Sequence, residues 1–328
     1  MKNFYLIIIF IFIWVISYAQ DAQLSIFTTS PLAINPATTG GFQNDNWRLY
    51  ADYKSQWKFL NQGISNNDFS FDMPVFRRKV GLGCLISNSI ASNGGISTLS
   101  FVSSFGYSIR LTRRVKQYLS FGLQAGIRQV NFNPDKLFFA NQYIPGVGFD
   151  PNQNNGENFT KTSTIYPDFN FGIMWYIKDK GTNFKPWAGA SVYHITEPNE
   201  SFHKSMESNL ARKYIIYSGV EIIMSDYFNV SPMLLLLSQY DFTRFSAGGY
   251  LSFSQSDQTT FYLGAYYRND GAIVSMVGLD LFQGFTISFD YETNISYLKN
   301  VNNGNGDFAI SLRYINILKR RYNVRFRR

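Results

Sequence analysis

Apolar and polar side chains alternate strictly along many segments of this chain. The clearest case is 285–292, where every odd-numbered residue is Phe, Ile or Tyr and every even-numbered residue is Thr, Ser, Asp or Glu. Successive side chains of a β-strand point to opposite faces, so this alternation predicts strands with one apolar and one polar face. No run of ~20 apolar residues follows the first 20 residues, which argues against membrane-spanning helices.

Fourteen segments follow this alternating pattern. They are 47–57, 66–74, 80–89, 97–110, 117–130, 164–177, 185–195, 211–223, 227–238, 243–254, 260–268, 271–281, 285–294 and 307–317. If the chain starts in the periplasm, all connections on that side are short. The connections on the other side are longer and include 131–163 and 196–210. This arrangement is typical of bacterial outer-membrane barrels, so we predict an all-β, transmembrane antiparallel β-barrel of about 14 strands.

A secreted β-sandwich would show the same alternation. Its polar face would meet water and would be rich in Lys, Glu and Asp. Here the polar positions are mostly Ser, Gly, Asn and Gln, with a few charges, which suits the crowded interior of a barrel better. The aromatic content of 18% also fits the girdles that barrels place at the membrane interfaces.

The first 19 residues are predicted to be a signal peptide. Lys2 precedes an apolar run over 6–16, and Ser17-Tyr18-Ala19 supplies small residues for cleavage after Ala19. The chain contains one cysteine, Cys84, so an intrachain disulfide is excluded. We therefore expect an exported protein that is stabilised by a large core or by a closed sheet in lipid.

Three parts are predicted after the signal peptide: a periplasmic or lumenal segment 20–46, the barrel 47–317 and a basic tail 318–328. Pro31 and Pro36 in the first part oppose regular strand pairing. We expect this part to fold into the lumen or across the periplasmic mouth as a plug. A disordered leader is the alternative, because chain termini are often mobile.

The formal net charge of +8 falls to +7 once Lys2 is removed with the signal peptide. Six of the remaining positive charges lie in the tail, at Lys319, Arg320, Arg321, Arg325, Arg327 and Arg328. The sequence therefore indicates a basic end and not a nucleic-acid-binding face. We expect the tail to bind an acidic partner or anionic lipid head groups, and a merely solvated end is an equal alternative.

The N-terminal part of the mature chain carries a recognisable order of short motifs. These are Gln20-Asp21-Ala22-Gln23, Asn35-Pro36-Ala37, then Arg48, Tyr53 and Gln56-Trp57. The order resembles the start of the PorP/SprF family of outer-membrane proteins of the type IX secretion system. Later segments also look like that family, at Val80 to Gly83, Leu123 to Gly126, and Ser191 to His194 followed by Pro198-Asn199. Ala22 departs from the usual Pro, and the chain continues beyond the point where the family usually ends.

The resemblance implies a non-catalytic outer-membrane barrel without cofactors. It would assist export or surface attachment of type IX cargo, especially adhesins with a C-terminal sorting domain, and it would be linked to gliding motility. Implied partners are the cargo, a peptidoglycan-associated periplasmic protein and membrane lipid, but no nucleic acid. The alternative function is an outer-membrane diffusion or uptake channel, whose distinguishing feature would be an open lumen.

Several polar or aromatic residues are candidates for partner binding. They are Asn35, Pro36, Arg48, Asp52, Lys54, Gln56, Trp57 and His194. Charged members of the early strands are expected to face the lumen, because an Arg or Lys facing lipid at mid-bilayer costs ~2–4 kcal/mol. They could form a docking surface for a partner, but mutual pairing is the simpler expectation for each.

An outer-membrane lipase is a weaker alternative. It would need a histidine beside a serine nucleophile, and the chain has only His194 and His203. Ser191 precedes His194 by three residues, so on a continuous strand the two side chains would point to opposite faces. Two histidines and one cysteine also leave no transition-metal cluster.

Overall fold

The computed structural model describes residues 30–41, 47–57, 63–76, 79–91, 94–112, 114–157, 159–179, 181–202, 207–256, 258–282, 284–296 and 306–316. The predicted signal peptide and basic tail lie outside these ranges, as do residues 20–29 and 42–46 of the predicted N-terminal segment. Among the helices in the described ranges, none has the length and apolar character needed to cross a membrane.

The described chain is almost entirely β-strand. The strands are β1 (Arg48–Gln56), β2 (Ile64–Val75), β3 (Val80–Ala91), β4 (Ile96–Arg110), β5 (Gln117–Phe132), β6 (Tyr143–Ile144), β7 (Gly148–Phe149), β8 (Ser163–Ile177), β9 (Phe184–Tyr193), β10 (Lys213–Ile223), β11 (Phe228–Gln239), β12 (Phe242–Ser256), β13 (Thr259–Arg268), β14 (Ala272–Leu281), β15 (Phe285–Asn294) and β16 (Asp307–Ile315). One four-residue helix, α1 (Pro31–Ile34), and the 3-10 turn Pro36–Thr38 precede them.

Fourteen of these strands form one closed antiparallel barrel. Each pairs with its neighbours along the chain, and β1 pairs with β16 to close the cylinder, with Arg48 opposite Ile315. The two-residue strands β6 and β7 form a separate hairpin in the connection between β5 and β8. The predicted fourteen-stranded barrel is confirmed. Closure leaves no unpaired sheet edge, which is the condition for a sheet to exist in lipid.

The outer face of the barrel is apolar, as the alternation predicts. On β15, Phe289 is 42% exposed whereas Asp290 next to it is 1% exposed. On β4, Phe105 is 44% exposed and Ser104 is 3% exposed. The apolar side chains therefore face outward and the polar ones face the lumen.

The inner face is not uniformly polar, and here the sequence expectation was wrong. On β2 to β5 it carries mainly Ser, Gly, Asn and Gln, but further round the barrel it is lined by buried apolar and aromatic side chains. These include Met174, Tyr176, Tyr193, Ile215, Tyr217, Leu235 and Leu237. Ile34 and Ala37 from the N-terminal segment pack against them, so this apolar surface has a partner inside the lumen.

The two ends of the barrel differ in their connections. The start of β1 and the end of β16 lie at one end, called here the terminal end, where the connections are short, such as 76–79 and 224–227. The opposite end, called the far end, carries the longest connections, 133–162 and 194–212.

Candidate functional site

Residues 30–41, called here the inner segment, lie against lumen-facing side chains of the barrel. The segment begins with α1 and continues into the turn at Pro36, and proline fits the first position of each because it needs no hydrogen-bond donor there. The Asn35 side chain caps this turn by accepting a hydrogen bond of 2.8 Å from the Ala37 amide. Asn35 and Pro36, both predicted to bind a partner, are therefore placed inside the barrel.

Asn35 also connects the inner segment to two strands of the wall. Its Nδ2 donates to the carbonyl oxygens of Ile173 at 2.9 Å and Ala190 at 3.2 Å. Wall side chains bind the backbone of the segment in return. Gln124 and Tyr193 donate to the Leu32 carbonyl oxygen. Ser191 donates to the Ile34 carbonyl, and Tyr176 donates to the Gly41 carbonyl. The inner segment is thus held by hydrogen bonds to β5, β8 and β9.

Four glycines form the seat on which the inner segment rests. Gly81, Gly106, Gly122 and Gly172 are directly paired across β3, β4, β5 and β8. We call them the glycine row. A Cβ atom at Gly122 would lie 2.1 Å from the Pro36 carbonyl carbon, and one at Gly81 would lie 2.1 Å from the Thr39 oxygen. Only residues without a side chain permit this close approach of two backbones.

A buried ion pair holds the other end of the inner segment. Arg48 Nη2 lies 2.5 Å from Asp72 Oδ2, and the two side chains are 5% and 0% exposed. Asp72 also accepts a 2.6 Å hydrogen bond from the Gly40 amide, and Arg48 donates to the Thr38 carbonyl at 2.8 Å. Arg48 was predicted as a site residue, and the structure pairs it within the lumen at the terminal end.

The connection 194–212, called here the far-end loop, covers part of the opposite end. Phe202 and Leu210 pack on Val130 and Tyr166, which face the lumen near the end of their strands. Tyr166 additionally donates to Glu200 at 3.1 Å. Separate segments of the same chain therefore contact the lumen wall towards each end of the barrel.

A cavity of about 130 Å³ lies on the far-end side of the inner segment. The inner segment contributes Ala33 and Ile34 to its wall. The rest of the wall mixes apolar residues, such as Leu85, Val102, Ile215 and Leu237, with polar and charged ones, among them Asn66, Asp68, Arg128, Asp168 and Lys213. The charged side chains of the wall are two acids and two bases, so no single sign of charge dominates this cavity.

His194 lies in the wall of this cavity and is 2% exposed. Its Nδ1 is 2.8 Å from Asp168 and its Nε2 is 3.3 Å from Arg128. Because Arg128 can only donate, Nε2 accepts and Nδ1 carries the proton that is donated to Asp168. The imidazole is thus a neutral link between a cation and an anion.

The expectation that Ser191 and His194 point to opposite faces was wrong. His194 has a left-handed backbone with φ of 57°, directly after the end of β9, and this turns its ring inward. Both residues are buried, but Ser191 donates to the Ile34 carbonyl at 2.6 Å, and His194 bonds to Asp168. Ser191 and His194 thus each engage a different partner, whereas a lipase needs its serine nucleophile hydrogen-bonded to the histidine.

The remaining predicted residues are spread along β1 and do not form one site with His194. Lys54 pairs with Glu292 at 3.5 Å, and Asp52 and Gln56 follow the same inner face. Trp57 lies beyond the end of the strand and is 41% exposed, and its amide donates to Asp307 at 2.8 Å. The Lys54 pairing agrees with the simpler expectation for lumenal charges.

Asp290 differs from the paired lumenal acids. It is 1% exposed, and within the described ranges neither of its carboxylate oxygens has a hydrogen-bond partner. Lys54 lies two strands away, with Ala309 between them in the register. A buried carboxylate without hydrogen bonds is costly to maintain.

The far-end turn 269–271 carries a further charged cluster. Asp270 lies 2.8 Å from Arg268 and 3.0 Å from Arg244. Burial opposes ionisation of this carboxyl group, but the two guanidinium groups outweigh it and hold the pKa of Asp270 below its usual range.

Sequence reasoning missed the glycine row and Asp72's contact with the inner segment. Each glycine stands at a polar-face position of its alternating strand, which is a usable signal. The strand register is needed to recognise that the four glycines are neighbours, because successive members are separated by 16 to 50 residues along the chain. In the described ranges no group of three or more His, Cys, Asp or Glu residues is arranged to bind a metal ion.

A closed fourteen-stranded cylinder with an apolar outer face and a polar and partly filled interior defines an integral outer-membrane β-barrel protein. Over residues 16–314 the sequence matches the family described as the type IX secretion system membrane protein PorP/SprF. The chain belongs to this family, and the resemblance noted from its short motifs is confirmed. The family and fold are those of a secretion membrane protein and not of a known enzyme.

Several solved structures are similar to the chain at low identity. The Ralstonia pickettii toluene transporter TbuX has a TM-score of 0.46 and 10% identity, with 87% of this chain and 93% of that chain covered. A Pseudomonas aeruginosa FadL homologue has a TM-score of 0.43 and 13% identity, with coverages of 87% and 94%. The KdgM porin in complex with disordered oligogalacturonate has a TM-score of 0.35 and 7% identity, with coverages of 81% and 98%. No curated protein matches the chain.

Proposed function

We propose that this barrel assists the export or cell-surface attachment of type IX cargo by docking the cargo's terminal domain, without serving as the conduit itself. The observation that carries the proposal is the occupied lumen. The inner segment lies in the lumen in backbone contact with the glycine row, and the far-end loop packs on lumen-facing side chains towards the opposite end. A lumen that holds two segments of its own chain is better suited to holding a partner than to free diffusion.

The proposed orientation places the terminal end in the periplasm. Its short connections support this, because bacterial barrels have short periplasmic turns and longer extracellular loops. The inner segment then acts as a periplasmic plug, and β16, the last strand, ends on the same side. A peptidoglycan-associated protein would meet the barrel at this end.

The cargo-docking surface is proposed to lie in the far-end connection 133–162. The hairpin β6–β7 presents Val147 at its tip, 79% exposed, with Phe138 and Tyr143 at 57% and 58%. Phe149 packs against Phe138 at a ring-centroid distance of 4.8 Å and against Tyr143 at 5.6 Å. Large apolar side chains that are held in place and exposed outside the barrel wall are characteristic of protein-binding surfaces.

Site-specific photo-crosslinking in cells tests this proposal. A crosslinking amino acid at Val147 should capture a secreted type IX cargo protein, which would be identified by mass spectrometry. The matched control is Ile127, which is 58% exposed on the outer face of β5 and should yield lipid adducts only. Cargo that never crosslinks from Val147, Phe138 or Tyr143 would argue against docking at this surface.

We expect cells that lack the barrel to lose the cargo from their surface. Gliding should fail in these cells when the cargo is a motility adhesin. Conductance of the purified protein in planar bilayers distinguishes the alternative. We expect little current, whereas steady, large conductance would favour a diffusion channel.

A further inference from the structure

Positive charge at the terminal end is concentrated in three consecutive connections of the barrel, those after β2, β4 and β8. In their described parts and adjoining strand ends these carry the residues called here the basic arc: Lys79, Arg110, Arg114, Lys116 and Lys178. All but the last are exposed. One acid, Asp179, is present in the same described stretches, and its carboxylate accepts the Gly181 amide at 3.2 Å.

Backbone contacts show that these connections adjoin one another. The Ser108 amide donates to the Lys79 carbonyl at 2.8 Å, and the Lys178 amide donates to the Lys116 carbonyl at 2.8 Å. The basic arc is therefore one continuous surface, although its members span 100 residues of sequence.

The opposite side of the same end has a different character. The connections after β10, β12 and β14 contain no Lys or Arg in their described parts. They expose Met224, Tyr227 and Phe282 instead, at 64%, 67% and 81%, and Asp226 is their described acid. Among the described connections of the terminal end, positive charge thus lies on one side.

Exposed apolar side chains accompany the cations of the basic arc. Val115, 38% exposed, lies between Arg114 and Lys116, and Leu111, 48% exposed, follows Arg110. Phe76 is 79% exposed on a left-handed backbone with φ of 43°, which is uncommon for a bulky residue. Leu111 and Val115 continue the outer rows of their strands, whereas Arg110, Lys116 and Lys178 continue the inner rows. The cations therefore stand at the rim of the barrel, next to apolar groups at the edge of the hydrocarbon.

The length of these connections limits what the cations can reach. They span only a few residues, such as 76–79 and 111–116, so the charges stay close to the membrane surface. We propose that the basic arc binds the phosphate head groups of anionic phospholipids in the adjoining leaflet. The choice of leaflet rests on the orientation proposed above: with the terminal end in the periplasm, the adjoining leaflet is the periplasmic one. Arginine and lysine supply charge-assisted hydrogen bonds to phosphate oxygens, and exposed aliphatic side chains supply the contact with the acyl chains.

Native mass spectrometry with defined lipids tests the proposal. The full-length protein in detergent is titrated with phosphatidylglycerol or with phosphatidylcholine, and retained lipid is counted. The double variant Arg114→Gln/Lys116→Gln should retain phosphatidylglycerol at least ~10-fold more weakly, since each cation near an anionic surface contributes about fivefold. Phosphatidylcholine retention should not change.

The matched control removes two exposed cations from the far end, as Lys136→Gln/Lys161→Gln, and should retain phosphatidylglycerol like the unmodified protein. Heat-modifiable migration in detergent gels checks that each variant is folded. Equal phosphatidylglycerol retention by both double variants would overturn the proposal, even if the arc variant lost an acidic protein partner. Because cargo crosslinking is read at the opposite end, failure of one proposal is distinguishable from failure of the other.

Discussion

Replacement of Gly122 by alanine should dislodge the inner segment from its seat. A Cβ atom there would lie 2.1 Å from the Pro36 carbonyl carbon and 2.2 Å from the Ala37 amide nitrogen, both backbone atoms. Ordinary contact begins near 3.4 Å, so one of the two backbones must move by about 1 Å. Strand β5 is fixed by ladders to β4 and β8 on both sides. The inner segment is therefore the part that moves.

The cost of this movement follows from the contacts that it breaks. Asn35 makes hydrogen bonds of 2.9 and 3.2 Å to the wall, and a shift of this size would break both of them. Each contributes about 0.5–1.5 kcal/mol, and overpacking of a tight contact adds about 1–3 kcal/mol. The total of about 2–6 kcal/mol is comparable to the free energy that binds a short segment to the wall. The conformation with the inner segment in the lumen therefore loses most of its population.

Single-channel recording in planar bilayers measures the outcome. Gly122→Ala should show frequent openings, whereas the unmodified protein should be nearly silent. Gly278→Ala is the matched control, because its nearest contact would be the Tyr262 Cβ at 3.3 Å and it lies away from the inner segment. Silent Gly122→Ala channels with unchanged protease protection of the segment would refute the reasoning.

Three further predictions concern stability. Asp72→Asn should lower the free energy of unfolding in urea by about 3–5 kcal/mol, because it removes the carboxylate charge that balances the buried Arg48. Asp290→Asn should leave the free energy of unfolding unchanged or higher, and equal losses in the two variants would contradict this contrast. Folding lowers the pKa of Asp270, so its ionised carboxylate stabilises the folded protein above the usual carboxyl pKa. This stabilisation is lost as the pH falls through the lowered pKa. The difference from Asp270→Asn should therefore be seen at neutral pH and shrink below about pH 4, and a pH-independent difference would exclude this origin. Leu210→Ala should speed protease cleavage within the far-end loop, with a packing loss of about 2–5 kcal/mol; an unchanged cleavage rate would show that the loop is held elsewhere.

The strands were predictable because their alternation is local. Each of the fourteen segments is about as long as a membrane-crossing strand, and one face of each must be apolar wherever lipid surrounds it. The character of the inner face was less predictable. The run Met233 to Leu237 is apolar on both faces, and its inward members pack in buried clusters, one of them with Ile34 and Ala37. Nothing within the run itself indicates this partner.

The candidate site shows the same limit. Asn35 and Pro36 could be singled out as a motif, and the prolines indicated a segment outside the ladder, but the row of glycines that receives them comes from four strands. His194 was noticed as well, yet its inward orientation depends on one left-handed residue at the end of β9. The alternation of apolar and polar residues along a strand does not predict such a residue.

By itself, the sequence determined that this protein is a membrane β-barrel, because the period of a strand and the polarity of lipid both act on neighbouring residues and are visible in the order of the chain. Only the tertiary structure decided what fills the barrel and where its charges gather. Both depend on register, which brings Gly81 beside Gly106 and Lys116 beside Lys178. These residues become neighbours only when the strands pair in the barrel.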